Sequence, residues 1–265
     1  MFNGNSYLLT NWHNVTGIHP YSGAFLNPDH RRPLKLICKL SKWIDRHVKK
    51  TFSISPFEVA LFSEDRQQTL WLEHSILGRQ CDLVAIPLVK PNFVPDFMHN
   101  FANKISTVRI PVKPGCPVFA LGFPSNISVG FGLPIWKSGY IASEPHYPVT
   151  LGGILSEQGG MTGGITIPAF FIDSQTRNGM SGSPVFAAYT GNWDMSNPYA
   201  NLEPDNPDFW SRDDIALGEN RLEFVGIYSG RIPTPEGEAG LGLCWAIRAI
   251  DEVCAAITFA KHPHL

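Results

Sequence analysis

The chain has 265 residues, 43% hydrophobic and 17% charged, which is enough to bury a large core in one two-lobed unit or in two small domains. The formal net charge of -2 gives no electrostatic reason to expect binding to nucleic acid or to an anionic membrane. No apolar run reaches the roughly 18 residues of a membrane-spanning helix, and the N-terminus does not show the succession of charged, apolar and small residues of a signal peptide.

The first part of the chain, residues 1–104, is predicted to be a lobe of short strands. A strand over 6–11 leads into a turn at His13, and Asn3-Gly4 before it is typical of a tight hairpin turn. Since only two residues precede that turn, we expect the first strand of this lobe to be absent or rudimentary. Further strands are predicted at 34–40, 57–62, 68–73 and 82–88, with an ambiguous basic stretch at 42–50 that suits one helical turn.

A connection with two prolines at 91–104 precedes the second predicted lobe, residues 105–265. Residues 152–164 are rich in glycine and are interpreted as a mobile loop, and 191–220 as a long polar insertion. An amphipathic helix is predicted at 251–260, with Asp251 as its N-cap. Strands are predicted at 116–123, 134–142, 169–173, 185–189, 224–230 and 241–247. This pattern favours an all-β architecture.

The chain has five cysteines, an odd number, and no two of them share a metal-binding spacing. We interpret them as small buried thiols in a reducing compartment, which predicts a cytoplasmic protein. The glycine-rich segment 152–164 also lacks the spacing of a phosphate-binding loop. We therefore expect neither a metal nor a cofactor.

The most informative segment is 176–184, T-R-N-G-M-S-G-S-P, in which small residues surround Ser181. Such a turn leaves the serine oxygen uncovered and directs main-chain N–H groups, here those of Gly179 and Ser181, toward one point. A serine hydroxyl needs a base to take its proton, and histidine is suited to this because its pKa lies near neutrality. A buried carboxylate then orients the imidazole. The candidates for these two roles are His13, which follows the first predicted strand, and Asp82, which begins the predicted strand 82–88.

In sequence, these segments resemble the trypsin-like serine peptidases of the chymotrypsin superfamily, in particular their disulfide-free bacterial branch. The matching motifs are T-N-W-H at 10–13, D-L-V-A-I at 82–86, G-M-S-G-S-P at 179–184 and G-I-Y-S-G at 226–230. The resemblance implies two antiparallel β-barrels with a short C-terminal helix, and cleavage of peptide bonds in a polypeptide substrate through an acyl-enzyme. It implies that His13 is the general base, Asp82 its orienting acid and Ser181 the nucleophile, with Gly179 and Ser181 forming the oxyanion hole.

The departures from the family pattern carry information of their own. Asn14 stands where secreted relatives have a disulfide cysteine, and Met180 stands where enzymes activated by N-terminal cleavage have an aspartate. Activation by such cleavage is therefore not expected. The resemblance places a substrate-binding pocket at Gln175, Thr176, Ile227, Tyr228, Ser229 and Gly230. Because no acidic residue stands at the base of this pocket, specificity for lysine or arginine is not expected.

Two other interpretations stay open at the level of sequence. One is a catalytically latent module that keeps the fold for binding or scaffolding, and the other is a related acyl hydrolase that acts on esters. An α/β-hydrolase is disfavoured, because its triad follows the order serine, acid, histidine and residues 179–183 do not form its G-x-S-x-G elbow.

Overall fold

The computed structural model describes residues 2–46, 49–88, 101–105, 109–130, 132–152, 154–155, 161–162, 164–200, 202, 205–234, 237–256 and 259–261. Two α-helices lie within these ranges, α1 (Trp12–Thr16) and α2 (Ile247–Cys254). The strands of the first half are β1 (Tyr7–Thr10), β2 (Lys35–Arg46), β3 (Lys49–Ala60), β4 (Leu72–Glu73) and β5 (Val84–Pro87). Those of the second half are β6 (Pro117–Gly122), β7 (Ile135–Ile141), β8 (Val149–Leu151), β9 (Ile154–Leu155), β10 (Met161–Thr162), β11 (Ile165–Ile167), β12 (Ala169–Asp173), β13 (Pro184–Asp194), β14 (Ile215–Thr234) and β15 (Gly237–Ala246).

Six strands of the second half close into an antiparallel barrel in the order β12-β15-β14-β13-β6-β7. Side chains alternate across the barrel wall, as in β6, where Val118 and Ala120 are fully buried while their neighbours are partly exposed. The interior also holds Phe170, Val185 and Trp193. The prediction of an all-β fold with a short C-terminal helix is thus confirmed, and of the two predicted antiparallel barrels the one in the second half is closed within the described residues.

The first half contains a three-stranded sheet in the order β1-β5-β4 and a separate hairpin of β2 and β3. Leu8 pairs with Ile86 in the central ladder. The other edge of β1 has no partner strand in the part of the chain that the structure describes. Before β1, Asn3 and Gly4 adopt φ values of 45° and 80° in the tight turn predicted for them, and the turn is closed by the Phe2–Asn5 bridge.

The two halves share an apolar cluster that fixes the cleft between them. Leu83 and Ala85, next to Asp82, pack in the same cluster as Trp245 of the barrel and Ile250 of α2. Helix α2 contacts β4 and β5 as well as β14 and β15. The division of the chain at residue 104 stays a prediction, since 89–100 and 106–108 lie outside the described residues.

Several predicted elements are corrected by the structure. Within the stretch 42–50, residues 42–46 and 49–50 lie in the paired strands β2 and β3 rather than in a helical turn, and 47–48 lie outside the described residues. The predicted strand 57–62 pairs with β2 through Ala60 and, past it, with 68–70 through the Phe62–Thr69 bridge and the hydrogen bond from the Leu70 N–H to the Leu61 carbonyl oxygen. The C-terminal helix begins at Ile247 directly after β15, and Asp251 lies inside it rather than at its N-cap. Burial of Ala249, Ile250 and Val253 on one face determines its position.

Two predicted loops also contain strands. The described parts of 152–164 include β9 and β10, which pair with each other between the paired strands β8 and β11. The insertion predicted at 191–220 is shortened from both sides by β13 and β14, which pair through Asp194 and Ile215. None of the helices in the described ranges is long and apolar enough to cross a membrane.

Candidate active site

His13 is held by a five-residue helix, α1, whose start is anchored by a buried tryptophan. Trp12 is 1% exposed, and its indole N–H donates to Glu73 Oε2 at 3.1 Å. The helix ends at Gly17, which has a φ of 71° and donates its N–H to the His13 carbonyl oxygen. Both ends of the helix are therefore fixed, and the imidazole has a defined position at the cleft.

Asp82 lies just before β5, is 2% exposed, and has both carboxylate oxygens occupied. Oδ1 accepts the backbone N–H of His13 at 3.0 Å, and Oδ2 lies 2.8 Å from His13 Nδ1. Because an ionised carboxylate can only accept, this contact places a proton on Nδ1, and in the neutral imidazole the lone pair is then on Nε2. The Ser229 hydroxyl also donates to Asp82 Oδ2, at 2.8 Å.

Ser181 lies in a tight turn between β12 and β13 that is anchored to the barrel on both sides. Met180, immediately before it, is fully buried in the barrel core. Gly182, immediately after it, donates its N–H to the Tyr228 carbonyl oxygen at 2.9 Å. The Ser181 hydroxyl donates to the carbonyl oxygen of Ser229 at 2.9 Å, so in this structure it is not bonded to His13.

The peptide between Asn178 and Gly179 has a fixed orientation. Its carbonyl oxygen accepts the Ser125 N–H at 2.7 Å, and a planar trans peptide directs its N–H the opposite way. Gly179 has a φ of 90°, and a Cβ there would lie 2.6 Å from the Phe123 carbonyl oxygen, so only glycine fits. Among the hydrogen bonds of the described residues, neither the Gly179 N–H nor the Ser181 N–H has an acceptor.

His13, Asp82, Gly179 and Ser181 line one cleft of about 940 Å³. This is near the upper end of the range of roughly 300–1,000 Å³ that is common for ligand sites. The fold therefore brings together four residues that the sequence pattern had singled out and that lie as many as 168 positions apart (13 to 181) along the chain. The roles assigned to them stay predictions.

The predicted substrate-binding residues are divided by the structure. Ser229 and Gly230 line the cleft. Gln175 is exposed, Thr176, Ile227 and Tyr228 are buried, and none of these four is among the described residues that line it.

Three contributors to the site were not apparent from the sequence. Ser229 contacts Asp82 through its side chain, in addition to lining the cleft. The Asn14 amide bridges the two halves by donating to the Ser181 carbonyl oxygen. Tyr21, in the segment between α1 and β2, also lines the cleft. Partial burial and the nearby charge of Asp82 raise the pKa of Tyr21 to about 12. Serines and asparagines are too common for such contacts to be found by local pattern.

The described residues contain no group of three or more His, Cys, Asp or Glu side chains that could hold a metal ion. The five cysteines are all free thiols. Burial raises the pKa of the Cys81 thiol, which adjoins Asp82, and the negative charge of Asp82 adds to the effect. Cys81 is therefore a neutral packing residue rather than a second nucleophile.

No protein-family profile matches the sequence, and no curated protein matches it. Among solved structures, the chain is similar to an inactive form of Rv3671c from M. tuberculosis H37Rv, with 12% identity, a TM-score of 0.38, and coverage of 84% of this chain and 76% of that one. It is also similar to the HtrA-type protease AlgW, solved with a decapeptide, with 13% identity, a TM-score of 0.31, and coverage of 82% and 60%. At this distance neither structure identifies the role of any residue in this chain.

Proposed function

We propose that the chain is a serine-type endopeptidase, a hydrolase that cleaves peptide bonds of a polypeptide substrate through an acyl-enzyme. The observation that carries this proposal is the 2.8 Å contact between His13 Nδ1 and the buried Asp82 carboxylate, in a cleft that also exposes Ser181. The contact orients the imidazole and assigns the lone pair of its neutral form to Nε2, which is what a general base requires.

In the proposed reaction, Ser181 Oγ forms a bond to the substrate carbonyl carbon while its proton passes to His13 Nε2. Asp82 stabilises the imidazolium that results. The tetrahedral intermediate collapses when the C–N bond breaks, and the leaving amine takes the proton from Nε2. A water molecule then gives a proton to Nε2 while its oxygen bonds to the acyl carbon. The ester bond to Ser181 Oγ breaks, and Oγ takes the proton back from Nε2.

The oxyanion of the intermediate is proposed to bind the N–H groups of Gly179 and Ser181. The support for this is that both donors lack an acceptor among the described residues and border the cleft. The Asn178 carbonyl is held away by Ser125, which keeps the Gly179 N–H in place. Loss of one such donor costs about 10²–10³ in rate in well-studied hydrolases.

A second candidate is the catalytically latent binding module, and one observation favours it. The Ser181 hydroxyl donates to the Ser229 carbonyl oxygen instead of to His13. We propose that this hydrogen bond is a resting arrangement, because rotation about the serine Cα–Cβ bond exchanges the hydroxyl between staggered positions at small cost.

Labelling with diisopropyl fluorophosphate separates the two candidates. The P–F bond breaks, a bond from Ser181 Oγ to phosphorus forms, fluoride leaves, and His13 takes the proton. Intact-mass analysis is expected to show one adduct on the wild-type protein and none on Ser181→Ala or His13→Ala. Asp82→Asn is expected to slow labelling by several orders of magnitude, about 10⁴ in the best-studied triad. A folded protein without an adduct would support the latent module.

We also propose a cytoplasmic location, on the argument that five free thiols suit a reducing compartment. Cell fractionation combined with thiol alkylation before lysis tests it. Recovery of the protein in the cytosolic fraction with all five thiols alkylated is the expected result. Recovery with oxidised cysteines from another compartment would contradict it.

A further inference from the structure

Two residues of the predicted specificity pocket, Thr176 and Tyr228, bond to each other in the protein interior and are not among the described residues that line the cleft. Tyr228 is 2% exposed, and its hydroxyl is hydrogen-bonded to the fully buried hydroxyl of Thr176. A Cβ on Gly242 would lie 2.7 Å from the Tyr228 ring, so the glycine makes room for the aromatic side chain. The space that the sequence assigns to a primary specificity pocket is thus filled by a satisfied tyrosine–threonine pair, and it has no room for a large substrate side chain.

The rest of the cleft is walled by aliphatic and aromatic side chains. Leu26 and Tyr21 of the first half are 52% and 47% exposed, and Ile165 of the second half is 36% exposed. Ile167 and Leu243 are buried beneath them. Exposed large apolar residues scattered singly need no explanation, but several lining one cleft mark a surface that takes an apolar ligand.

Two charged residues besides His13 and His19 line the cleft, Asp82 and Arg231, and the positive charge of Arg231 disfavours a second cation beside it. The Asp82 carboxylate is occupied by His13 and Ser229 and is not available to a substrate cation. No other carboxylate lies among the described residues that line the cleft. A lysine or arginine side chain would therefore lose its hydration without gaining a partner.

We propose that this cleft binds a polypeptide segment of aliphatic residues without lysine or arginine, with a small residue such as alanine at the bond next to Ser181. The inference rests on the proposed peptidase function for its biological meaning, but it concerns binding and can be tested without turnover. The walls formed by Leu26, Tyr21 and Ile165 contact the aliphatic side chains, and the Tyr228–Thr176 pair limits the size of the residue at the scissile bond.

Binding is measured by fluorescence polarisation on the Ser181→Ala protein, which cannot turn over its ligand. The probe is a fluorescein-labelled peptide amide, Leu-Val-Ile-Ala-Ser-Gly. Matched peptides carry Lys or Phe in place of Ala, or Lys in place of Ile. The parent peptide is expected to bind at least about tenfold more tightly than each matched peptide. Equal or tighter binding of a Lys or Phe peptide, or no binding of the parent, would overturn the inference.

A matched pair of variants locates the binding surface. Ile165→Asp, made in the Ser181→Ala background, places a charge in the cleft wall and is expected to weaken binding of the parent peptide by about tenfold or more. Ile76→Asp is the control, because Ile76 is 87% exposed and does not line the cleft. Equal effects of the two variants would contradict the proposed site.

The two proposals fail in different ways. If diisopropyl fluorophosphate does not label the wild-type protein, the proposed peptidase function is contradicted, whatever the Ser181→Ala protein binds. Labelling accompanied by preferred binding of the lysine-containing peptides contradicts only the apolar cleft.

Discussion

The side chain of Asn14 donates one hydrogen bond to the carbonyl oxygen of Ser181, at 3.2 Å, and another to Thr10 Oγ1, at 3.1 Å. Asn14 directly follows His13 in α1, so it ties the helix of the candidate base to the backbone of the candidate nucleophile across the two halves. Gly182 allows this approach, because a Cβ there would lie 2.8 Å from Thr10 Oγ1. An amide therefore makes the connection between the two halves at this position.

Asn14→Ala is expected to slow the labelling of Ser181 by diisopropyl fluorophosphate by about tenfold while the protein stays folded. Each lost hydrogen bond contributes about 0.5–1.5 kcal/mol, and the pair defines the distance between the two halves of the site. The measurement is the labelling rate beside a urea denaturation curve. Asn192→Ala is the control. It removes an exposed amide whose described side-chain contact is one hydrogen bond accepted from the Gly218 N–H. A labelling rate equal to that of the control would show that the tether does not position Ser181.

Met180 anchors the turn that carries Ser181 to the barrel core through an apolar side chain. Its side chain is fully buried in the barrel core, directly before Ser181. Met180→Asp is expected to destabilise the protein by more than the roughly 2–5 kcal/mol of a methionine-to-alanine truncation, because it buries an unpaired charge. Met180→Leu keeps the volume and is expected to cost less than about 1.5 kcal/mol. Urea denaturation of the wild-type protein and the two variants measures the order of stability, and an aspartate variant as stable as the leucine variant would contradict it.

The insertion after β13 is predicted to lose stability in acid. Hydrogen bonds from Ser196 and from the Asn197 N–H, together with Arg212, hold the pKa of Asp194 well below its usual range. A carboxyl whose pKa is lower in the folded state stabilises that state at a pH above its unfolded pKa of about 3.9. This stabilisation disappears as the pH falls through the folded pKa.

Asp194→Asn is therefore expected to lower the free energy of unfolding most near neutral pH, and the difference from wild type is expected to shrink below pH of about 4. Unfolding in urea at a series of pH values measures it. Asp208→Asn, at an exposed carboxylate of the same insertion, is the control. A difference that stays constant with pH would show that the charge of Asp194 is not the stabilising feature.

The parts of the site that sequence predicted are those determined by local pattern. A turn of small residues around Ser181, a strand leading to His13 and an acid before an apolar run can each be found within a few positions. That these three segments meet in one cleft could be predicted only from the order of the motifs along the chain, which resembles that of a known family, and not from any one segment.

The parts that sequence missed depend on packing between distant segments. The Ser229–Asp82 contact spans 147 positions, and the Tyr228–Thr176 pair exists only because the barrel closes around both residues. Asp251 was predicted as an N-cap from its type. The helix instead begins earlier, because burial of its apolar face outweighs a single capping preference. Local propensity is therefore a weaker guide than tertiary packing at these positions.

Ser229 is predicted to be a positioning residue for Asp82. Its hydroxyl donates to Asp82 Oδ2 at 2.8 Å, on the same oxygen that contacts His13 Nδ1. A hydrogen bond to a charged group contributes about 1.5–3 kcal/mol. Ser229→Ala is therefore expected to slow the labelling of Ser181 by about tenfold or more, at 1.4 kcal/mol for each factor of ten.

The Ser229 carbonyl that accepts from Ser181 is part of the backbone and is kept in Ser229→Ala, so the variant isolates the contact with Asp82. Ser143→Ala is the matched control, because the Ser143 hydroxyl also supports a neighbouring element, accepting the Phe171 N–H, but does so away from the cleft. Both variants are expected to lose similar stability in urea, while only Ser229→Ala loses labelling rate. If the two label at the same rate, Asp82 is held sufficiently by His13 alone, and Ser229 serves only to line the cleft.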